Sequence, residues 1–303
     1  MTVCFLPAGT VKVASSRIRV YAVLSALERL GVETCVGYRA GTDVLVVQKR
    51  VDAEIVAMAR AFRKQGGRVF YDCDDLGRAL EYWAPEGLRR ELIPLAEAIT
   101  TNTPEYAETL ARLYGKRVAV IPDVVDYGLT APVAEAPAAS GDELRVLWFG
   151  NGANLRLLEP YVEIFQTGAG CSLTVCSGRE LPGVGFVRWT LEGFPAVLRS
   201  FDLTFLPHGD KEADRAKSNN RMITSIAWGV PAVVSRTPAY ERTARAAGVE
   251  GACFGGPEEA RGCLERWRSR GAREGYLRAA QAAIWREHSP EAVARLWRAA
   301  LKE

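Results

Sequence analysis

The sequence predicts two doubly wound α/β domains in tandem, followed by a helical segment. Short apolar runs of strand length alternate with helical patterns in both halves of the chain, which is typical of parallel sheets covered by helices. Residues 127–143, YGLTAPVAEAPAASGDE, are rich in proline and alanine and lack periodicity, as in a linker. The length of 303 residues suits two domains of about 150 residues each. We therefore expect domains at 1–126 and 144–288, the linker between them, and a final helix at 289–303.

Each half carries candidate strands that are short and apolar, as expected of buried parallel strands. The predicted strands are 3–8, 32–38, 44–49, 68–73, 98–102, 118–123, 145–150, 172–177, 184–189, 203–207, 232–235 and 252–255. The predicted helices between them are 17–30, 52–65, 87–96, 104–114, 154–167, 191–199, 218–228 and 237–247. From Pro257 onward the pattern is helical throughout.

Composition and charge limit the class of protein. Hydrophobic residues make up 48% and charged residues 25%, which is ordinary for a folded protein. The net charge of +3, from 39 basic and 36 acidic side chains, is too close to balance to favour nucleic acid as a partner. Without a basic leader followed by a long apolar segment, a cytoplasmic protein is expected. Residues 261–303 hold ten Lys or Arg against five Glu, which indicates a solvated helix face or, alternatively, contact with an anionic membrane surface.

Seven cysteines stand at positions 4, 35, 73, 171, 176, 253 and 263, mostly within apolar runs. Their spacing matches neither a zinc motif nor a redox motif. We therefore expect them to be small core residues in a reducing compartment.

The segment 201–235 is predicted to form a strand, a polar loop, a short helix and a second strand. The helix carries one apolar stripe, formed by Met222, Ile223, Ile226 and Ala227. Ser218 can cap this helix, and Lys217 and Arg221 lie at its start, where unpaired backbone N–H groups favour a phosphate. The alternative is a solvated basic helix end.

Three further loops of the second half follow predicted strands, where open α/β sheets bind ligands. The loop Gly150-Asn151-Gly152-Ala153-Asn154 offers glycines that allow a ligand to approach, although a tight turn alone would also need them. Arg179 follows the next strand, and Trp189 ends the strand after that. His208 opens the polar loop already described, directly after the strand at 203–207. A structural tryptophan and a structural histidine are the alternatives.

Two loops of the first half carry candidate functional residues. Asp72, Asp74 and Asp75 end a predicted strand, and carboxylates this close commonly mark a base, a metal site or a hydroxyl-binding site. A helix cap and a salt-bridged acidic turn are the alternatives. The loop Ser15-Ser16-Arg17-Ile18-Arg19 opens the first helix, where the serines can cap and the arginines can reach an anion.

Five stretches together resemble GT-B glycosyltransferases of the retaining bacterial kind. They are SSRIRVYAVLSALERLG, YDCDDL, ITTNTPEYAETLARLYGKRVAVIPDVVD, LRVLWFGNGAN and KSNNRMITSIAWGVPAVVS. The resemblance implies two Rossmann-like domains, with the nucleotide sugar on the second, the acceptor on the first and reaction in the cleft between them. It also implies that the final helix crosses back to the first domain.

The resemblance further implies roles for individual residues. The implied donor-binding residues are Gly150, Asn151, Gly152, Asn154, Arg179, Trp189, His208, Lys217, Ser218, Asn219, Asn220 and Arg221. The acceptor-binding residues would be Ser16, Arg17 and Arg19, and the catalytic candidates are Asp72, Asp74 and Asp75. Many retaining relatives carry two glutamates eight positions apart, and this chain has Ala216 and Thr224 there.

The sequence thus predicts a glycosyltransferase that moves a sugar from a nucleotide sugar to a hydroxyl acceptor, with no metal and no further cofactor. An epimerase or hydrolase acting on a nucleotide sugar is one alternative, and a non-catalytic nucleotide-sugar-binding protein is another. A metal-dependent transferase would use Asp72-Cys73-Asp74 as an Asp-x-Asp site. Donor sugar, nucleobase, acceptor and stereochemical outcome stay open.

Overall fold

The computed structural model describes residues 1–137, 143–167 and 170–302. Residues 138–142 of the expected linker and residue 303 of the expected final helix lie outside this part. The chain forms two units. Unit 1 comprises Met1–Asp126, Ala216–Ser218 and Glu287–Glu303, whereas unit 2 comprises Tyr127–Arg215 and Asn219–Arg286.

The described residues form two parallel sheets. The strands are β1 (Thr2–Leu6), β2 (Glu33–Val36), β3 (Val44–Gln48), β4 (Arg68–Asp72), β5 (Ala98–Thr101), β6 (Val118–Val120), β7 (Leu144–Phe149), β8 (Cys171–Ser177), β9 (Gly185–Arg188), β10 (Leu203–Leu206), β11 (Ala232–Ser235) and β12 (Cys253–Phe254). In unit 1 the order is β2-β1-β3-β4-β5-β6, and in unit 2 it is β12-β11-β10-β7-β8-β9. The second order is that of a dinucleotide-binding doubly wound sheet.

Helices connect the strands. They are α1 (Ala14–Ser16), α2 (Leu24–Arg29), α3 (Ala53–Lys64), α4 (Gly77–Trp83), α5 (Glu86–Leu92), α6 (Pro104–Tyr114), α7 (Val162–Thr167), α8 (Phe194–Arg199), α9 (Glu212–Arg215), α10 (Asn220–Ala227), α11 (Pro238–Ala246), α12 (Pro257–Arg266), α13 (Arg270–His288) and α14 (Pro290–Lys302). Between α1 and α2, Arg17–Tyr21 forms a π-helix. This architecture confirms the predicted pair of doubly wound α/β domains followed by helices.

The sheet of unit 1 is buried on both faces. Val47, Tyr71 and Ile99 pack into one core, whereas their neighbours Val46 and Phe70 pack into the opposite one. This explains the continuous apolar strands of the sequence, because alternate side chains of each strand enter different cores. The second of these cores also contains residues of α2 and α14.

Some predicted helices are divided differently in the structure. The predicted helix 17–30 consists of the π-helix and α2, and the predicted helix 87–96 corresponds to α5, which α4 precedes. Pro85 separates α4 from α5 and stands as the N-cap of α5. The predicted helix 154–167 begins as two 3₁₀ segments, Gly152–Leu157 and Glu159–Tyr161, before α7.

The expectation that every cysteine is a free core residue is wrong for one pair. Cys4 and Cys35 stand opposite each other in the parallel register of β1 and β2 and are joined by a disulfide. The other five cysteines are buried and free. Sequence spacing could not reveal the pair, because strand register brings together residues 31 positions apart. Within the described part of the chain, no helix is long and apolar enough to cross a membrane.

Candidate functional site

The strand order of unit 2 reverses between β7 and β10. Ligands of open α/β sheets bind at the carboxyl ends of the strands beside such a reversal. In unit 1 the corresponding position lies between β1 and β3. The polar residues at the carboxyl ends of these strands are therefore the candidates for ligand binding.

Arg221 lies at the reversal in unit 2. It stands in the first turn of α10, and its Nη1 donates to the carbonyl oxygen of Phe149 at 3.1 Å. Its Nη2 is 3.5 Å from the carbonyl oxygen of Pro207 and 3.0 Å from Nε2 of His208. Phe149 ends β7 and Pro207 follows β10. Within the described part of the chain, the positive charge is therefore held between the two central strands by neutral acceptors rather than by a carboxylate.

His208 completes this cluster. Because a guanidinium can only donate, Nε2 of His208 accepts from Arg221, and the proton of the neutral ring is on Nδ1. The hydroxyl of Tyr240 lies 3.2 Å from the same Nε2. The backbone N–H of His208 donates to Oγ of Ser235 at 2.7 Å, which fixes the loop to the end of β11. The imidazole is thus an oriented neutral group at the sheet edge.

The glycine loop after β7 lies between two arginines. A Cβ at Gly150 would stand 3.3 Å from the ring of Trp148 and 3.4 Å from Nη1 of Arg221. A Cβ at Gly152 would stand 3.0 Å from the side chain of Arg179. Asn151 closes the turn by accepting from the N–H of Ala153 at 2.9 Å. A side chain at either glycine would be crowded, by the Trp148 ring and the Arg221 guanidinium at Gly150 and by the aliphatic part of Arg179 at Gly152.

The remaining residues predicted around the base have partners within unit 2. Nε1 of Trp189 donates to the hydroxyl of Tyr127 at 3.3 Å, and Tyr127 packs on Phe194 with ring centroids 4.8 Å apart. The backbone N–H of Arg179 donates to Oγ of Ser177 at 3.0 Å. Trp189 is half-buried, and Asn154 and Asn220 are half-buried as well.

The predicted phosphate segment at 217–221 is divided between the units. Ala216–Ser218 belongs to unit 1, and Asn219 and Arg221 belong to unit 2. The prediction that Ser218 caps the helix is wrong, because the N-cap is Asn219 and makes no side-chain cap bond. Ser218 instead donates through Oγ to Oδ2 of Asp123 at 2.6 Å. Asn219 donates to Oγ1 of Thr243 at 2.7 Å.

The two positions that carry glutamates in many retaining relatives are structural in this chain. Ala216 packs into a core of unit 1, and its carbonyl oxygen accepts from Oγ1 of Thr103 at 2.9 Å. Thr224 is buried within α10. Neither side chain can supply the charge of a glutamate.

In unit 1, Asp72 and Arg19 form a buried salt bridge. Nε and Nη2 of Arg19 donate to the two carboxylate oxygens of Asp72 at 2.7 Å and 2.6 Å. Thr100 also donates to Asp72, and Nη1 of Arg19 reaches Asp123 at 2.9 Å. Burial disfavours the charge of Arg19, but the attraction of Asp72 and Asp123 outweighs it and raises the pKa of the guanidinium. Asp72 is therefore part of a buried salt bridge, which was one of the alternatives for this acidic turn. We retain neither Asp72 as a base nor Arg19 as a ligand of the acceptor.

Arg17 and Ser16 are structural as well. Arg17 donates to both carboxylate oxygens of Asp126 at 2.8 Å and 2.7 Å. Ser16 donates to Oε1 of Gln48 at 2.9 Å, and the serines do not cap, because the N-cap of α1 is Val13. The sequence predicted arginines at a helix start that could reach an anion. The fold instead buries both arginines of the π-helix against carboxylates from distant segments, since a buried guanidinium needs such partners.

Asp74 and Asp75 lie beside Lys49, which sequence reasoning missed. Nζ of Lys49 forms an ion pair with Asp75 and stands 3.7 Å from Oδ2 of Asp74. Burial raises the pKa of Asp74 to about 7, against the attraction of Lys49. The signal available in the sequence was the polar pair Gln48-Lys49 at the end of the apolar strand VLVV. In the described part of the chain, no group of three or more His, Cys, Asp or Glu could hold a metal ion.

No family model and no curated protein matches the sequence. Solved structures do match the fold. An O-GlcNAc transferase mutant from Thermobaculum terrenum superposes with a TM-score of 0.61 and 12% identity, over 100% of this chain and 67% of that one. The chain has a GT-B fold.

Two further structures share the GT-B-like architecture of this chain. A mutant of TarM from S. aureus, in complex with fondaparinux, alpha-GlcNAc-glycerol and UDP, matches with a TM-score of 0.59 and 11% identity. That match covers 86% of this chain and 55% of TarM. A proposed UDP-N-acetylglucosamine 2-epimerase from Listeria monocytogenes matches with a TM-score of 0.57 and 14% identity, over 99% of this chain and 95% of that one. At such identities the similarity concerns the fold.

Proposed function

We propose that this chain transfers a sugar from a nucleotide-sugar donor to a hydroxyl acceptor. The observation that carries the proposal is Arg221. Its guanidinium lies at the strand-order reversal of a dinucleotide-type sheet and, among the residues that the structure describes, has no carboxylate partner. A half-buried cation of this kind is suited to bind an anion. The TarM complex contains UDP, which supplies such a diphosphate group in a chain of the same fold.

The donor diphosphate would lie along the glycine loop at Gly150 and Gly152. Arg221 and Arg179 flank this loop, and Lys217 precedes the helix that carries Arg221. Negative charge grows on the diphosphate as the bond to the sugar breaks. Fixed cations stabilise that charge more in the transition state than in the ground state, and this difference accelerates the reaction. The Nδ1–H of His208 would donate to the same anion or to the sugar.

The transfer step needs a group that receives a proton. The acceptor oxygen forms a bond to the anomeric carbon, and the bond from that carbon to the diphosphate oxygen breaks with its electron pair remaining on the diphosphate. The hydroxyl proton passes to a carboxylate, for which Asp74 is suited because burial brings its pKa to about 7. We propose that no metal ion takes part, since arginine and lysine supply the positive charge.

Calorimetric titration of UDP, GDP, ADP and TDP tests the donor site. Arg221→Ala should weaken binding of the preferred nucleotide by about 1.5–3 kcal/mol, because a charge-assisted hydrogen bond is lost. Arg261→Ala, which removes an exposed arginine of α12, serves as the matched control and should bind as the wild type does. Equal affinity in both variants would show that Arg221 is only part of the fold.

A nucleotide-sugar epimerase is the second candidate, because the Listeria protein matches over nearly its whole length. The two functions differ in their need for an acceptor. With a bound nucleotide sugar, a transferase releases nucleoside diphosphate faster when an acceptor is added, whereas an epimerase forms a new sugar isomer without one. Product analysis by NMR separates them.

A further inference from the structure

Two hydrogen-bond donors converge on one nitrogen at the carboxyl edge of the sheet in unit 2. Nη2 of Arg221 lies 3.0 Å from Nε2 of His208, and the hydroxyl of Tyr240 lies 3.2 Å from the same atom. An imidazole nitrogen that carries no proton has a single lone pair and accepts one good hydrogen bond at a time. The two donors therefore compete for this acceptor.

Tyr240 is the fixed member of the pair of donors. It is 0% exposed, and its backbone N–H donates to Oγ1 of Thr237, the N-cap of α11, at 3.4 Å. Its ring packs on the imidazole of His208, with centroids 5.2 Å apart. Burial raises the pKa of its hydroxyl more than the nearby guanidinium of Arg221 lowers it. The hydroxyl therefore keeps its proton at neutral pH and can donate to His208.

Arg221 is the donor that can exchange its partner. His208 is tied down through its backbone N–H, which donates to Oγ of Ser235 at 2.7 Å. The guanidinium is only half-buried, and its remaining acceptors are the carbonyl oxygens of Phe149 and Pro207. A phosphoryl oxygen forms a stronger, charge-assisted bond with a guanidinium than a neutral imidazole does. An anion at the glycine loop would therefore draw Nη2 away from His208.

The departure of Arg221 would leave Nε2 of His208 and the buried hydroxyl of Tyr240 facing each other. An acceptor that loses its donor next to a buried side chain is costly, unless another donor takes its place. We propose that Tyr240 is a positioning residue that takes over Nε2 of His208 and thereby allows Arg221 to bind the donor diphosphate. Tyr240 then acts through Arg221 and does not touch the ligand. The inference rests on the proposed function, because that function places the diphosphate at Arg221.

Calorimetric titration of the full chain with inorganic pyrophosphate and with UDP, GDP, ADP and TDP tests this role. Tyr240→Phe should weaken binding of pyrophosphate and of the preferred nucleotide by about tenfold, because releasing Arg221 would leave Nε2 of His208 without a donor. Tyr276→Phe is the matched control. It removes another buried hydroxyl of unit 2, which donates to the carbonyl oxygen of Ala232 at 3.0 Å, and it should bind as the wild type does. Unchanged affinity in Tyr240→Phe overturns the proposal.

The same substitution in an Arg221→Ala background separates positioning from a structural role. If Tyr240 acts through Arg221, its hydroxyl has no further effect once the guanidinium is absent, and the two affinities should agree within about twofold. A general loss of structure would weaken binding in both backgrounds. An equal loss with and without Arg221 therefore overturns the positioning role.

The ¹⁵N resonances of the His208 ring provide a measurement that needs no variant and does not depend on the folding of Tyr240→Phe. In the wild type, Nδ1 should carry the proton and Nε2 should not, as the bond from Arg221 requires. Saturation with pyrophosphate should leave this pattern unchanged, because Tyr240 replaces Arg221 as the donor. A proton gained by Nε2 on saturation overturns the proposal.

The two ligand types distinguish a failure of this inference from a failure of the proposed function. If pyrophosphate binds with the expected pattern and no nucleoside diphosphate does, glycosyl transfer fails and the role of Tyr240 stands. If a nucleotide binds equally well to Tyr240→Phe and to the wild type, only the role of Tyr240 fails. If neither ligand binds, both fail, since Arg221 is then no anion site.

Discussion

The guanidinium of Arg19 binds both carboxylate oxygens of Asp72, at 2.7 Å and 2.6 Å, and the two side chains are 1% and 0% exposed. Removing one partner leaves a buried charge without compensation. Asp72→Asn and Arg19→Met should each lower the free energy of unfolding by about 3–5 kcal/mol. Urea denaturation measures this loss. Arg90→Met breaks an exposed pair with Glu86 and should cost about 1 kcal/mol or less, and a similar small loss at Asp72 would contradict the structure.

Replacing Gly150 should damage the proposed donor site more than the fold. The Cβ of Gly150→Ala would meet the Trp148 ring at 3.3 Å and Nη1 of Arg221 at 3.4 Å, so it would crowd both side chains at the place where we propose that the diphosphate binds. Affinity for a nucleoside diphosphate should fall by about tenfold or more, as expected when a charge-assisted bond is weakened. Gly178→Ala is the control, because nothing lies within 4 Å of its Cβ. Calorimetry showing equal loss in both variants would contradict a specific role for Gly150.

The stability of the protein should depend on pH through Asp74. Burial raises the pKa of this carboxyl from 3.8 to about 7, so between these values the folded state retains a proton that the unfolded chain has released. The contribution of Asp74 to stability is therefore present at low pH and is lost as the pH rises through this window. Asp74→Asn does not titrate, and its melting temperature should rise relative to that of the wild type from about pH 4 to about pH 8. If the difference in melting temperature between the two proteins did not change with pH, the raised pKa of Asp74 would be contradicted.

Ile226 and Arg221 stand on the same short helix and should behave differently. Ile226 is 0% exposed, and Ile226→Ala should lower the free energy of unfolding by about 2–5 kcal/mol, because a core cavity forms. Leu113→Ala, at a side chain that is 60% exposed, is the control and should cost little. Arg221→Ala should chiefly lower nucleotide affinity. Denaturation and calorimetry on the same samples distinguish the two effects.

Removing divalent metal ions should leave donor binding intact. The positive charge at the glycine loop comes from Arg221 and Arg179, and the residues that the structure describes contain no cluster suited to a metal ion. Titration of the preferred nucleoside diphosphate in EDTA should give the affinity measured without it. Loss of binding in EDTA, with recovery after addition of Mg²⁺, would favour a metal-dependent transferase.

The arrangement of strands and helices could be predicted well because it depends on local pattern. The strand 232–235 and the helix 104–114 match β11 and α6 residue for residue. The helix has a local signal at each end: Thr103 caps α6 by accepting from the N–H of Tyr106, and Gly115, with a φ of +60°, ends it. The boundaries that were predicted less accurately lie where no such signal is present, as at the π-helix Arg17–Tyr21.

The candidate site could be predicted only in part. Loops after strands were identified correctly as the sheet edges, since parallel strands align their carboxyl ends. The salt bridges and hydrogen bonds between side chains at these edges were not predicted. Arg19 and Asp72 are separated by 53 residues, and Ser218 and Asp123 by 95, and no local pattern indicates that they bind each other.

The sequence by itself determined two doubly wound α/β domains and the glycine loop, because hydrophobic periodicity and turn residues act over a few neighbouring positions. Only the tertiary structure decided which charges are paired with other charges within the fold and which are not. Burial makes that distinction, since a desolvated charge must find a partner. Arg19 pairs with Asp72 and Arg17 with Asp126, whereas among the described residues Arg221 is bound by neutral acceptors only and Oδ1 of Asp74 makes no hydrogen bond.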